Sequence, residues 1–378
     1  MALSNFPQIH FRNNINLDIS YYHSPLLSSL TLKRSQSIVS SKNCLTILKL
    51  TNNFDESRLN SNSSCRPSSI VRSAISEKTS GATGDWVDLY LPENVRSYAR
   101  LARVEKPIGS WLLAWPFAWS LALAADQGSF PDMKMLSIFS LWAVAIRGAA
   151  CTINDYFDRD IDNKVERTRN RPMACGDVTP NEGLLFFFIQ VLFGLGPLLS
   201  TNTISGILGL LHVPSVVAYP LMKRLTYWPQ AFLGFMFNWG VLLGWSVVKG
   251  SLDPAVLIPL YVGCFFWTLI YDTIYAHQDK KDDVKIGVKS TAVLLGESTK
   301  PWLTVFGITC ITCFAISGLN ADIGYSFYPL LGIAACHLAW QIWTTDLSSP
   351  TDCNNKFVSN IWFGAIIFSA IMIGRLLP

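Results

Sequence analysis

Two short acid-rich segments hold the residues of this 378-residue chain best suited to chemistry. The first reads Asn154-Asp155-Tyr156-Phe157-Asp158-Arg159-Asp160-Ile161-Asp162. Asn154, Asp158 and Asp162 are spaced i, i+4, i+8 and share one face of a helix. Arg147 lies seven residues earlier, near that face, inside an apolar run where an ionisable side chain is costly and usually functional. The second segment runs from Asp272 to Asp283, and Asp272, Tyr275, Asp279 and Asp283 follow i, i+3, i+7, i+11, again one expected helical face. Carboxylates crowded on one face repel each other unless a positive charge sits among them. Such oxygen donors suit hard cations, and Mg²⁺ in particular binds through a few carboxylates plus substrate phosphates. Two such faces opposed would clamp a diphosphate between metal ions, with an apolar cavity beyond for a hydrocarbon tail. One acidic run alone reads equally as a solvated helix end. Two runs with helical spacing, each closing an apolar stretch, argue against that. The pair lies roughly 120 residues apart and has the look of a degenerate repeat.

The elements that must position these residues are membrane spans. Half of the residues (50%) are hydrophobic and only 15% are charged, against about 25% in an ordinary soluble domain. The 13 Trp and 22 Phe suit interfacial belts and a large apolar pocket. From Pro107 onward, apolar runs of about 20 residues succeed one another, each long enough to cross a bilayer. The expected spans are 107–125, 135–154, 182–200, 203–222, 229–249, 254–276, 301–318, 325–344 and 357–376. The fold class is therefore all-α, a membrane bundle of about nine helices. Basic residues collect in the segment before the first span and in the loops after the second, fourth and sixth. All of these fall on one side, which the positive-inside rule assigns to the cytoplasm or an organelle matrix. Both acid-rich segments end spans on that same side. The net charge of +4 is too small to argue for a nucleic-acid partner. Residues 1–75 are rich in Ser and Asn and poor in acids, the composition of a transit peptide or a disordered tail. Residues 76–106 form an amphipathic lead-in, and 107–378 form the membrane domain. Cys310 and Cys313 make a CxxC inside an apolar run and read as small buried residues, and the five histidines form no metal signature.

These residues resemble the UbiA family of intramembrane prenyltransferases. The family motif NDxxDxxxD is matched by Asn154, Asp155, Asp158 and Asp162, and YDxxYAxxDxxDD by Tyr271, Asp272, Tyr275, Ala276, Asp279, Asp282 and Asp283. The stretches Lys106–Gly109, Tyr219–Arg224, Asn238-Trp239-Gly240 and Lys285–Thr291 are similar to the 4-hydroxybenzoate branch. The resemblance implies a nine-helix bundle around a central cavity and Mg²⁺–diphosphate held by Asp155, Asp158, Asp162, Asp279, Asp282 and Asp283. It also implies catalytic duty for Asp155, Asp158, Asp279 and Asp283. Arg147, Asn154, Arg171 and Lys223 would contact diphosphate or shape the mouth of the site. Tyr219, Asn238 and Tyr275 would bind substrate, and Arg224 or Arg171 would meet the acceptor carboxylate. The implied reaction is ionisation of an allylic prenyl diphosphate and attack on 4-hydroxybenzoate ortho to its hydroxyl. Spacer residues depart from the ubiquinone-pathway pattern at Tyr156-Phe157 and Met173-Ala174-Cys175, as in specialised plant geranyltransferases of shikonin-type pathways. A geranyl donor goes with the endoplasmic reticulum membrane, and a long-chain donor with the mitochondrial inner membrane. The alternative is a transporter with intramembrane carboxylates, whose site would lie near the bilayer midplane on broken helices.

Overall fold

A computed structural model of the protein describes residues 85–377. The expected transit-like segment, the start of the lead-in and Pro378 lie outside the described residues. Every regular element among the described residues is helical. Two short helices, α1 (Trp86–Tyr90) and α2 (Glu93–Leu101), precede the bundle. Then follow α3 (Ile108–Ala124), α4 (Met133–Asp162), α5 (Pro180–Leu199), α6 (Thr203–Leu225), α7 (Pro229–Phe237), α8 (Gly240–Lys249) and α9 (Pro254–Ala276). The chain continues through α10 (Lys280–Ile286), α11 (Thr291–Leu295), α12 (Thr299–Asn320), α13 (Phe327–Thr344), α14 (Pro350–Val358) and α15 (Asn360–Leu376).

Each expected span falls on one of these helices or on a pair. Counting α7–α8, α11–α12 and α14–α15 as continuous, seven meet the length and apolarity needed to cross a membrane. The span expected at 107–125 is the shorter apolar helix α3, and that at 325–344 is α13. The chain is an integral membrane protein. The helix starts follow local rules. Thr179 and Glu182 form a reciprocal capping box ahead of Pro180, and Asp253 caps α9 with Pro254 at its first position. The span expected over 135–154 lies within α4, which runs on to Asp162, so the first acid-rich segment forms its last two turns, helical as its spacing requires. The span expected over 229–249 is broken at Asn238-Trp239, where Asn238 Nδ2 bonds the Gly234 carbonyl (2.7 Å) and Thr268 Oγ1 (2.9 Å).

Neighbouring helices pack in a closed series: α4 on α5 and α6, α7 on α9, α9 on α12, α12 on α13, α13 on α15, and α15 on α3. Helix α8 also lies along α3, because a side chain at Gly244 would collide with the Phe117 carbonyl and the Leu121 amide. Small residues permit such backbone contact between membrane helices. The interior is aromatic. Trp119, Trp267, Phe314 and Phe363 pack together, and the indole N–H groups of Trp119 and Trp267 bond the Gly364 carbonyl (3.0 Å) and Asn360 (2.8 Å). Outward, α5 exposes Leu185, Phe188, Leu192 and Phe193 to lipid. Trp302, Trp340, Trp343 and Trp362 stand exposed at helix ends on the charged side, as an interfacial belt does.

Candidate active site

The last two turns of α4 point three acids inward: Asp155, Asp158 and Asp162 are all buried. The buried set is thus i, i+3, i+7 from Asp155, while Asn154 sits half-buried beside it. Buried carboxylates need partners, and each has one. Arg103 Nη2 donates to both oxygens of Asp155 at 2.8 Å, and Arg171 Nη1 donates to Asp155 (3.1 Å) and Asp162 (2.8 Å). Lys223, in the last turn of α6, donates to Asp158 Oδ2 at 3.3 Å. The other oxygen of Asp158 is buried without a partner. Arg103 reaches Asp155 from the turn after α2, where its backbone adopts φ 57°, a left-handed conformation uncommon for a residue with a side chain. That turn is anchored by Leu101, packed with Met173 and Val178. Burial opposes the charge on Arg103, but Asp155 outweighs it, so the guanidinium holds its proton more tightly than usual.

The second segment does not form the single helical face expected of it. Helix α9 ends at Ala276, and the chain turns at His277, whose Nδ1 lies 2.9 Å from the Thr273 carbonyl. Asp279 then stands just ahead of α10, with Asp282 and Asp283 in the first turn. The turn takes these acids off the line of α9 and towards α4. Arg167, from the loop that follows the first segment, holds the second. Its Nε and Nη2 donate to the two oxygens of Asp279 at 2.8 and 2.5 Å, and its Nη1 donates to the Tyr275 hydroxyl at 3.1 Å. Burial raises the carboxyl of Asp283 to about 6, and neighbouring Asp279 adds to the shift. Asp282 pairs with Lys285 (3.1 Å) on a more exposed flank.

The remaining expected residues occupy two other levels. Arg147 lies over the Phe237 ring (5.8 Å to its centre), and Gly109 leaves room for its guanidinium. Arg147, Tyr219 and Asp272 belong to α4, α6 and α9, feel each other's charge, and stay partly exposed. They come together one level closer to the bilayer centre than the acids. Asn238 is fully buried at the α7–α8 break. Arg224 is exposed and donates to the Phe157 carbonyl at 2.8 Å, away from the acids. Arg103 and Arg167 are the two participants that sequence reasoning passed over as orientation charges. The only signal for either was its nearness in sequence to a motif.

Among the described residues no three acid, His or Cys side chains stand close enough together to hold a metal as they are. The donor set still fits a hard divalent ion. It is all carboxylate oxygen, it includes the unpartnered Asp158 oxygen, and its counter-ions are arginine and lysine side chains that phosphate oxygens would attract. Such a site can hold a polyanion between two acid faces while basic residues exchange partners.

The sequence profile of the UbiA prenyltransferase family matches residues 113–364. 4-Hydroxybenzoate geranyltransferase 2 of Lithospermum erythrorhizon is 60% identical over 298 residues, covering 79% of this chain and 97% of that protein. The mitochondrial 4-hydroxybenzoate polyprenyltransferase of Arabidopsis thaliana is 57% identical over 302 residues, covering 79% of this chain and 74% of that protein. A solved structure, a UbiA homolog from Archaeoglobus fulgidus bound to GPP and Mg²⁺, shares the fold with a TM-score of 0.57 and 19% identity. It covers 73% of this chain and 99% of that one.

Proposed function

The chain belongs to the UbiA prenyltransferase family, and from that premise we propose that it transfers a prenyl group from its diphosphate to 4-hydroxybenzoate. The observation that carries this reading is the tethering of both acid-rich segments by one loop, whose Arg171 pairs with Asp155 and Asp162 and whose Arg167 pairs with Asp279. Asp155, Asp158 and Asp162 on one side and Asp279, Asp282 and Asp283 on the other would hold the Mg²⁺. When bound, the metal supplies the positive charge that stabilises the leaving diphosphate. The carboxylates fix the diphosphate end of the donor at the membrane's charged face. Arg103, Arg167, Arg171 and Lys223, released from their acids, turn to phosphate oxygens and follow the charge that develops as the carbon–oxygen bond breaks. The hydrocarbon chain extends into the apolar interior. Arg147, set over the Phe237 ring deeper than the acids, would meet the acceptor carboxylate.

Identity to a geranyltransferase and to a polyprenyltransferase is nearly equal, so donor length is tested directly. Isolated membranes bearing the protein are given 4-hydroxybenzoate, Mg²⁺ and donors from geranyl to long polyprenyl diphosphates. A geranyl preference goes with an endoplasmic reticulum address, and a rate that rises with chain length goes with the mitochondrial inner membrane. Absence of prenylated product from every donor sinks the reading, as does product formation undiminished by chelator.

A further inference from the structure

Within the two acid-rich segments, one carboxylate has no partner. Asp155, Asp158, Asp162 and Asp279 are held by arginines or lysine, Asp160 by Arg159, Asp282 by Lys285, and Asp283 has the Ser290 side chain. Asp272 alone makes neither an ion pair nor a hydrogen bond among the described residues. It is partly exposed although its neighbours on α9, Tyr271 and Thr273, are buried. The charges acting on it are Lys223 of α6 and Arg147 of α4. A carboxylate left without hydrogen bonds in an apolar setting is unfavourable, and its persistence calls for a role.

Its level in the fold suggests which. Asp272 sits one turn before the end of α9, about 6 Å inside the membrane from Ala276. The donor's diphosphate belongs at the acid clamp and its chain in the apolar interior, so the carbon that is attacked lies between them. That is the level of Asp272, Tyr219 and Arg147. Resting on the prenyl-transfer reading, we propose that Asp272 is the base that removes the ring proton of the acceptor.

The step balances without an added reagent. The donor's carbon–oxygen bond breaks and its electron pair leaves on the diphosphate. A ring π pair then forms the new carbon–carbon bond ortho to the hydroxyl. The carbon–hydrogen bond at that ring carbon breaks, its proton passes to an Asp272 oxygen, and its electron pair restores the aromatic ring. After the products leave, the proton passes to water. The clamp acids are poorly placed for this task, because metal or arginine occupies their lone pairs. Both oxygens of Asp272 are free.

The test compares wild type with Asp272→Asn in membranes, using geranyl diphosphate and 4-hydroxybenzoate with hydrogen or deuterium ortho to the hydroxyl. In the wild type the two acceptors react at equal rates, because proton loss follows the slower ionisation. In D272N the rate falls by about 10²–10⁴-fold, the size of a lost general base. The deuterated acceptor becomes clearly slower, while water-trapped geraniol still forms from the ionised donor. Should D272N fail to insert, Asp272→Glu displaces the carboxylate by one methylene and must itself produce the isotope effect. A D272N rate near wild type, or a loss with neither isotope effect nor geraniol, overturns the assignment. The same holds for D272E without an isotope effect. A wild type that makes no product refutes the prenyl-transfer reading instead.

Discussion

Replacing Arg103 with Ala tests the link between the lead-in segment and the first motif. Asp155 is 1% exposed and the Arg103 side chain 14%, so their contact is shielded from water and salt. Breaking a buried pair by removing one partner costs roughly 3–5 kcal/mol, because a charge is left uncompensated. Here Arg171 still donates one bond to Asp155. The expected loss is therefore nearer about 2–3 kcal/mol, below the full penalty. For a domain of this size that lowers the unfolding midpoint by roughly 4–10 °C. The assay is thermal unfolding in detergent, first with chelator and then with Mg²⁺ and inorganic diphosphate. With chelator the full drop is expected. With metal and diphosphate the gap to wild type narrows, since a cation again sits beside Asp155. Adding Asp155→Asn to Arg103→Ala restores most of the chelator-state stability, because no buried charge is left stranded. An R103A midpoint equal to wild type, or a double variant no more stable than R103A, refutes the argument that Arg103 neutralises Asp155.

Three further outcomes follow from the same geometry. Asp158→Ala and Asp279→Ala each remove an acid from one side of the clamp and are expected to lower turnover by about 10²-fold or more. Membrane insertion and extraction should not change, and retained Mg²⁺-dependent turnover in membranes would count against the clamp. The Asp283 carboxyl, raised to about 6, binds its proton more tightly than in an unfolded chain. Lowering the pH through that value stabilises the ligand-free fold at this residue and sets protons against metal. Apparent Mg²⁺ affinity in a titration should therefore fall below that pH, and Asp283→Asn should flatten the fall. Gly244→Ala, remote from the acids, forces α8 off the Phe117 carbonyl and should cost about 1–3 kcal/mol in thermal stability. The KM for donor should stay unchanged.

Much of the architecture was legible because long apolar runs admit few alternatives in a bilayer. The first motif was legible for a related reason. Helix α4 continues unbroken to Asp162, so residue spacing translates directly into a face. The second motif obeyed no such rule. Spacing predicts a face only while the helix lasts, and α9 stops at Ala276, so Asp279 and Asp283 reach the site through a turn at His277. Arg103 and Arg167 were hidden for another reason. A basic residue beside a membrane span has an orienting role whether it points outward or inward, and direction is set by tertiary packing. In Arg103 it is set by a backbone angle that the letter R does not suggest. Arg224 is the converse, a tempting cation next to Lys223 that the last turn of α6 aims at a carbonyl on the exposed side.

The pairing of clamp acids with arginine and lysine has a consequence for turnover at a lipid boundary. An array of bare carboxylates would have to draw ions from the water layer before each cycle and shed them after it. Here the neutralising ions are tethered to the protein. On the proposed reading, arrival of a metal-bound diphosphate would be an exchange of partners, in which acids pass to metal and guanidinium groups to phosphate. Departure of the diphosphate would reverse the exchange, with re-formation of the internal pairs helping to expel it. The site would then work as a self-contained ion exchanger at the lipid boundary, its acids neutralised by tethered cations whenever the cargo is away.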